Sequence, residues 1–206
     1  MSAKMDVILF MQETENSPLN TNTVPLIPWK RLTWWILALP ALLLVALITH
    51  SFYLLLLSHV MSGCLWTGAD IFLGFILGPI WRHLEPHQRQ AVQERLVPNT
   101  LLYMPILGLT TGTAGWLVAQ RDGFFAVHSA MFPWIVVAGA VAVILTFVGL
   151  GILLPTNLKM LNQLRKPTPD PTLLKRWTFL TRRLALVQGL FQVVVMIVMA
   201  HLSLTP

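Results

Sequence analysis

Apolar residues in this chain come in runs far longer than the three- or four-residue periodicity of a soluble helix, and polar residues are confined to the breaks between them. Residues 1–28 are polar and rich in Pro, Asn and Thr, apart from the short patch Val7 to Met11. After Trp29-Lys30-Arg31 the character changes. Five apolar spans follow, at about residues 32–49, 52–81, 97–119, 129–154 and 178–203. Runs of about 18 or more apolar residues predict membrane-crossing helices. The break between the first two spans is the least marked, because residues 32–81 are nearly continuous in apolar character. A single straight helix of that length would measure about 75 Å, more than twice the ~30 Å hydrocarbon core, so the chain must turn. Its most polar point, Thr49-His50-Ser51, is the predicted turn. The fold expected is all-α: an integral membrane bundle of about five transmembrane helices, four forming the core and an N-terminal helix lying peripherally. Residues 1–28 form a flexible cytoplasmic tail and residues 29–206 the bundle.

Lys and Arg fix the expected orientation. They precede the first span (Lys4, Lys30, Arg31), follow the second (Arg82, Arg89, Arg95) and follow the fourth (Lys159, Arg165, Lys166, Lys175, Arg176, then Arg182 and Arg183). The remaining connections hold only Arg121. With five spans all the basic segments lie on one side. The positive-inside rule then places the N-terminus in the cytoplasm and the C-terminus outside, in a plasma (inner) membrane. Trp29, Trp34, Trp35, Trp81 and Trp177 fall at the inner interface and Trp116 and Trp134 near the outer one, as in an aromatic belt. Trp66 alone sits mid-span. The loop from Glu85 reads as a short interfacial helix with a Glu85/Arg89 pair, and Lys166 to Pro171 as a stiff turn. Gly74-x-x-x-Gly78 and Gly108-x-x-x-Gly112 are small-residue spacings suited to helix packing.

Composition narrows the function classes. Of 206 residues 55% are hydrophobic and 11% charged, and mean hydropathy is +0.69. The net charge of +6 lies in particular loops, which argues for topology and against nucleic-acid binding. One cysteine, Cys64, excludes a disulfide framework and reads as a small buried hydrophobe. The sequence has no Gly-rich phosphate loop, paired-Cys motif or nucleophile elbow.

The chemistry-bearing stretch is His59 to Phe72. Ionisable groups at membrane depth are costly and mark function by default. Residues 59, 63, 66 and 70 share one helical stripe, with His59 and Asp70 about 16 Å apart along it. Gly63 leaves space there for a flat cofactor or a neighbouring helix. His59 is either a cofactor ligand or half of an interhelical hydrogen bond. Asp70 is a candidate proton relay, or a partner for Arg, Thr110 or Thr111. Gln188 and Gln192, one turn apart, read as interhelical glue. His50, His128 and His201 also lie toward the outer half, where a bundle could converge them with His59 on haem iron, copper or zinc. Equally, histidines near helix ends are at home in the interface. Met61, Met131, Met196 and Met199 occupy the same half, and thioethers suit Cu(I) or simple core filling.

His59-x6-Trp66-x-Gly68, followed by Phe72, Pro79 and Arg82, resembles the first signature helix of a superfamily. That superfamily comprises the copper resistance D proteins and the HemJ-type protoporphyrinogen oxidases. Leu101 to Gly115 and Gly149-x-Gly-Ile-Leu-Leu-Pro155 are similar too. The resemblance implies a small helical bundle in which His59 is an axial haem ligand and Trp66 packs around the site. The expected function is then a haem b or metal-binding membrane protein of electron transfer, or of porphyrin or copper metabolism. His128 or His201 would be the second ligand, and a quinone or periplasmic redox protein the partner. The alternatives are a copper transporter using His59, His50, Met61 and Met199, and a cofactor-free subunit of a larger membrane complex.

Overall fold

A computed structural model of the chain describes residues 34–126, 128, 131–166 and 168–204. Every regular element among them is helical. The expected N-terminal tail lies outside the described residues. A 3-10 turn, Trp34–Leu37, leads into α1 (Ala38–Ile48). Four long helices follow: α2 (Phe52–His83), α3 (Pro86–Arg121), α4 (Phe132–Leu164) and α5 (Pro171–Leu204). All four are long and apolar enough to cross a bilayer. The protein is therefore an all-α membrane bundle. The 11 residues of α1 rise only about 16 Å, roughly half the hydrocarbon core.

The turn between α1 and α2 falls at the predicted break. Thr49 closes α1, His50 takes a left-handed φ of 52°, and Ser51 N–H donates back to the Ala46 carbonyl at 3.1 Å. This is a Schellman ending, with histidine where glycine is usual. Ser51 then caps α2, its hydroxyl accepting from Leu54 N–H at 3.4 Å. The α1 face packs on α2 and α3 through Leu43, Ala46, Leu55, Ala114 and Val118, confirming its peripheral place.

The four long helices form a ring in which α2 meets α3 and α5, and α4 meets α5 and α3. The contact between α3 and α4 is uneven. It is close at the end that carries Val97, Met160 and Leu161 and sparse across the apolar zone. The small-residue spacing on α2 serves the α5 joint: a Cβ on Gly74 would lie 3.1 Å from Leu186 Cα, and one on Gly78 3.1 Å from the Arg182 stem.

Three helices are longer than hydropathy alone predicts. The segment expected as a separate interfacial helix is the continuous start of α3, a helix of 36 residues. Glu85 serves its capping box, with Gln88 Oε1 accepting from Glu85 N–H at 2.9 Å. Its carboxylate lies 3.5 Å from His87 Nδ1, and Arg89 reaches the Arg82 carbonyl, so the expected Glu85/Arg89 pair is not formed. Likewise α4 continues past residue 154 to Leu164, and α5 begins at Pro171, where Asp170 Oδ1 accepts from Thr172 N–H at 2.8 Å. Charges end the apolar run without ending the helices. Lys159, Lys175 and Arg176 are exposed, while Val97, Leu101, Met160, Leu161, Leu164 and Leu174 bury a core of their own. This extension lies at the end that also carries Arg82, Arg89, Arg95, Arg165 and Lys166.

Three of the four long helices carry prolines in their interior. Each removes a ladder donor and crowds the carbonyl four residues back. Ahead of Pro79 the chain widens to a π-helical stretch, Phe72–Ile76, with Leu77 N–H donating to Phe72 O. Ahead of Pro155 it does so again over Phe147–Leu153, with Leu154 N–H on Gly149 O. Pro98 and Pro105 sit within α3.

Leu161 is fully buried in the extension core, whereas Leu158 is 37% exposed. Leu161→Ala should cost about 2–5 kcal/mol, against less than about 0.5 for Leu158→Ala. Thermal unfolding of the two variants in detergent compares them; equal midpoints would mean the extension has no core.

Candidate functional site

The stripe of residues 59, 63, 66 and 70 does face the interior, and each member meets a different neighbour. His59 lies in the α2–α3 seam, where its Nδ1 is 2.9 Å from the Thr111 carbonyl. A carbonyl only accepts, so Nδ1 carries the proton and Nε2 keeps its lone pair. The ring edge rests on Gly115, where an added Cβ would fall 2.5 Å from Cε1. Thr111 Oγ1 also donates to Ser62 Oγ at 2.9 Å, and Ser62 Oγ donates to the Ser58 carbonyl at 2.6 Å. The space expected beside Gly63 is taken by α3, with Thr111 Cγ2 3.4 Å from an added Cβ. A neighbouring helix fills it.

Trp66 lies against Gly108, 3.4 Å from where a Cβ would be, and its buried indole N–H has no acceptor among the described residues. Asp70 is 2% exposed, and its Oδ2 accepts from Gln192 Nε2 at 3.0 Å. Neither threonine expected as its partner serves it, since Thr110 donates to the Ile106 carbonyl and Thr111 to Ser62. Gly189 brings α5 up against Asp70 Cβ. Gln192 is thus the interhelical link expected of it, while the buried Oε1 of Gln188 and of Gln192 have no donor.

Trp66, Asp70 and Gln188 stand at the deep end of a cavity of about 140 Å³ lined by all four long helices. That is some ten times the ~10–15 Å³ needed for one water. The cavity runs toward the basic end, where Trp81, Gln93, Asn157 and Arg182 line it. Its walls are mostly aliphatic. Both π-helical stretches and Pro105 contribute to the lining, through Leu73, Gly149, Leu150 and Leu153. On the α3–α4 side the lining residues Leu109 and Leu150 are 58% and 37% exposed. The wall there is open toward the surroundings of the bundle, the hydrocarbon of a membrane. The sequence offered no sign of this cavity beyond Trp66 and Asp70, because its other walls are ordinary Leu, Gly and Thr.

The remaining candidates are dispersed. His50 occupies the α1–α2 turn, its carbonyl accepting from Arg121 at 3.5 Å. His128 is exposed in the α3–α4 turn, and the His201 ring lies 4.2 Å from that of Trp134. Met61 is 45% exposed on the outer surface of α2. Met131 and Met199 pack on the apolar cluster of Ala119, Ile135, Ala138, Val198 and Leu202, and Met196 is exposed. Among the described residues no three His, Cys, Asp or Glu side chains come together as a metal-holding group, so the expected convergence of outer histidines is not formed. They lie apart: His59 in the α2–α3 seam, His50 and His128 in two different turns, and His201 beside Trp134. Cys64 is exposed, not buried as expected.

No family model, curated protein or solved structure matches this sequence.

The α2–α3 seam makes a sharp prediction. Gly115→Ala drives a methyl into the His59 ring and must disturb its bond to Thr111, at a cost of about 1–3 kcal/mol. Gly112→Ala, three residues earlier, meets nothing within 4 Å and should be neutral. Similar thermal midpoints for the two variants would show that His59 is not held in this seam.

Proposed function

We propose that this protein binds an amphipathic small molecule inside the membrane, in the cavity between its four long helices, with access from the bilayer through the gap between α3 and α4. The observation that carries this reading is the open wall at Leu109 and Leu150, which leads to buried polar groups with unmet hydrogen-bonding capacity. An aliphatic cavity with a few polar groups is the usual form of a small-molecule site. Its mid-membrane end offers a donor, the Trp66 indole N–H, beside acceptors on Gln188 and Asp70. A carbonyl- or hydroxyl-bearing molecule, a quinone among them, matches such a pair. Asp70 is the group placed to exchange a proton with it. We place the basic end in the cytoplasm of a cell with a plasma membrane, on the positive-inside rule.

A second reading is a b-type haem or metal protein with His59 as ligand. It is supported by the seam geometry, since a ligating histidine commonly donates its other N–H to a backbone carbonyl. His59 would hold the group through Nε2, the nitrogen left free by the Thr111 bond. Bound there, a haem would supply one-electron chemistry, and Thr111 would fix the imidazole tautomer. A copper site built from His59, His50, Met61 and Met199 does not fit, because these residues lie in a seam, a turn, the outer surface and an apolar cluster respectively.

Two experiments separate the readings. Gly149→Phe places a ring in the gap, where Gln188 is the nearest side chain to an added Cβ. It should abolish retention of a spin-labelled or fluorescent amphiphile while leaving the thermal midpoint within a few degrees. Unchanged retention would sink the cavity reading. A dithionite-reduced minus air-oxidised spectrum, run beside His59→Ala, decides the other. A Soret band lost on substitution supports the haem reading, and a colourless wild type from haem-replete cells removes it.

A further inference from the structure

We infer that the molecule held in this cavity carries an anionic head, a phosphate or carboxylate, and that Arg182 receives it at the basic mouth. This rests on the amphiphile reading above and specifies its ligand. Arg182 is half-buried on α5 and lines the cavity. Its stem lies against Gly78, its Nη1 donates to the Gly78 carbonyl at 3.1 Å, and its Cζ stands 5.8 Å from the centre of the Phe179 ring. A guanidinium has five N–H donors, so one carbonyl leaves most of them unmet. No carboxylate of a described residue lies within ion-pair distance of it.

A cation withdrawn from water without an anion is costly unless something charged completes it. The other polar groups at that end carry no charge to do so: Gln93 donates to Thr178, Thr181 donates to the Trp177 carbonyl, and Asn157 is neutral. Among the described residues Asp70 is the one acid of the lining. It lies eight residues, or about 12 Å, from Gly78 along α2 and is engaged by Gln192. Arg82, Arg89 and Lys159 raise the positive potential around the same end. Basic pockets between membrane helices on that side are where anionic headgroups are held.

The dimensions agree with a lipid-like molecule. From Gln93 at the mouth to Leu109 at the gap, α3 rises about 24 Å, most of the hydrocarbon thickness. A chain anchored by its head at Arg182 would lie along the aliphatic groove and leave between α3 and α4.

The test uses the full chain in detergent. Native mass spectrometry counts the lipid retained after incubation with phosphatidylglycerol or with diacylglycerol, which shares the tails and lacks the phosphate. The wild type should retain phosphatidylglycerol in preference by about tenfold. Arg182→Gln should bring that ratio near unity, and Arg182→Lys should preserve part of it. Arg182 also ties α5 to α2, so Asn157→Asp provides an independent variant: a negative charge at the mouth, away from that joint, should lower the ratio too. Equal retention of the two lipids by the wild type, or a ratio unmoved in both Arg182→Gln and Asn157→Asp, overturns the anionic head and leaves the cavity reading standing. Retention of neither lipid overturns the cavity reading as well. Displacement of bound phosphatidylglycerol by inorganic phosphate alone would show that the anion site serves a soluble phosphate, and that too overturns the inference.

Discussion

In hydrocarbon every backbone polar group must find its partner within the protein, and the architecture of this bundle follows from how it meets that requirement. Its crossing helices carry prolines, which delete donors where no water can replace them. Ahead of Pro79 and Pro155 the chain responds by widening into π-helical turns that re-pair the ladder one residue further back. Such wide turns recur at functional sites. Here both line the cavity, so the sequence features that disturb the helices also shape the space between them.

The helix α2 carries two different interfaces on one stripe. Toward its start it meets α3 through a chain of hydrogen bonds: His59 to the Thr111 carbonyl, Thr111 to Ser62, and Ser62 to the Ser58 carbonyl. Toward its middle it meets α5 through Gly74, Gly78 and the Asp70–Gln192 bond. Polar links between membrane helices are individually modest, about 0.6 kcal/mol on average. Their value lies in register. A shift of either neighbour by one turn would strand a buried aspartate or histidine, so these residues hold the wall of the cavity in place even where they do not line it.

The sequence made the bundle legible because hydropathy reports burial in lipid directly, and the Thr49–Ser51 break was visible as the polar point in an over-long apolar run. Helix ends were less legible. Lys159 and Lys175 look like loop residues to a hydropathy window, yet they are the exposed faces of helices whose other faces bury Met160, Leu161 and Leu174. The site was half legible. His59 and Asp70 stood out because ionisable groups are rare at that depth. Their partners were less plain: a backbone carbonyl at Thr111 carries no mark in the sequence, and Gln192 reads as interhelical glue without anything to match it to Asp70, 122 residues away. The spacing of histidines misled for a related reason: position along a helix gives depth, not the azimuth that decides whether His50, His128 and His201 face one another.

The gap between α3 and α4 follows from the solvent. In water, exposed Leu109 and Leu150 would draw the two helices together by apolar burial. Lipid tails are as apolar as leucine, so that force is absent in a bilayer, and helices close only where packing or polar links favour it. Such links join α2 to α3 and α2 to α5, and at the basic end α3 meets α4 through a core outside the apolar zone. Among the described residues no comparable bond spans α3 and α4 at the level of Gly108 and Gly149. The space is therefore stable when filled by a hydrocarbon chain and not by water, which the aliphatic walls would exclude. A molecule that presents a chain to this gap and polar atoms to the groups behind it satisfies both demands, which is why an amphiphile accounts for the cavity better than an ion.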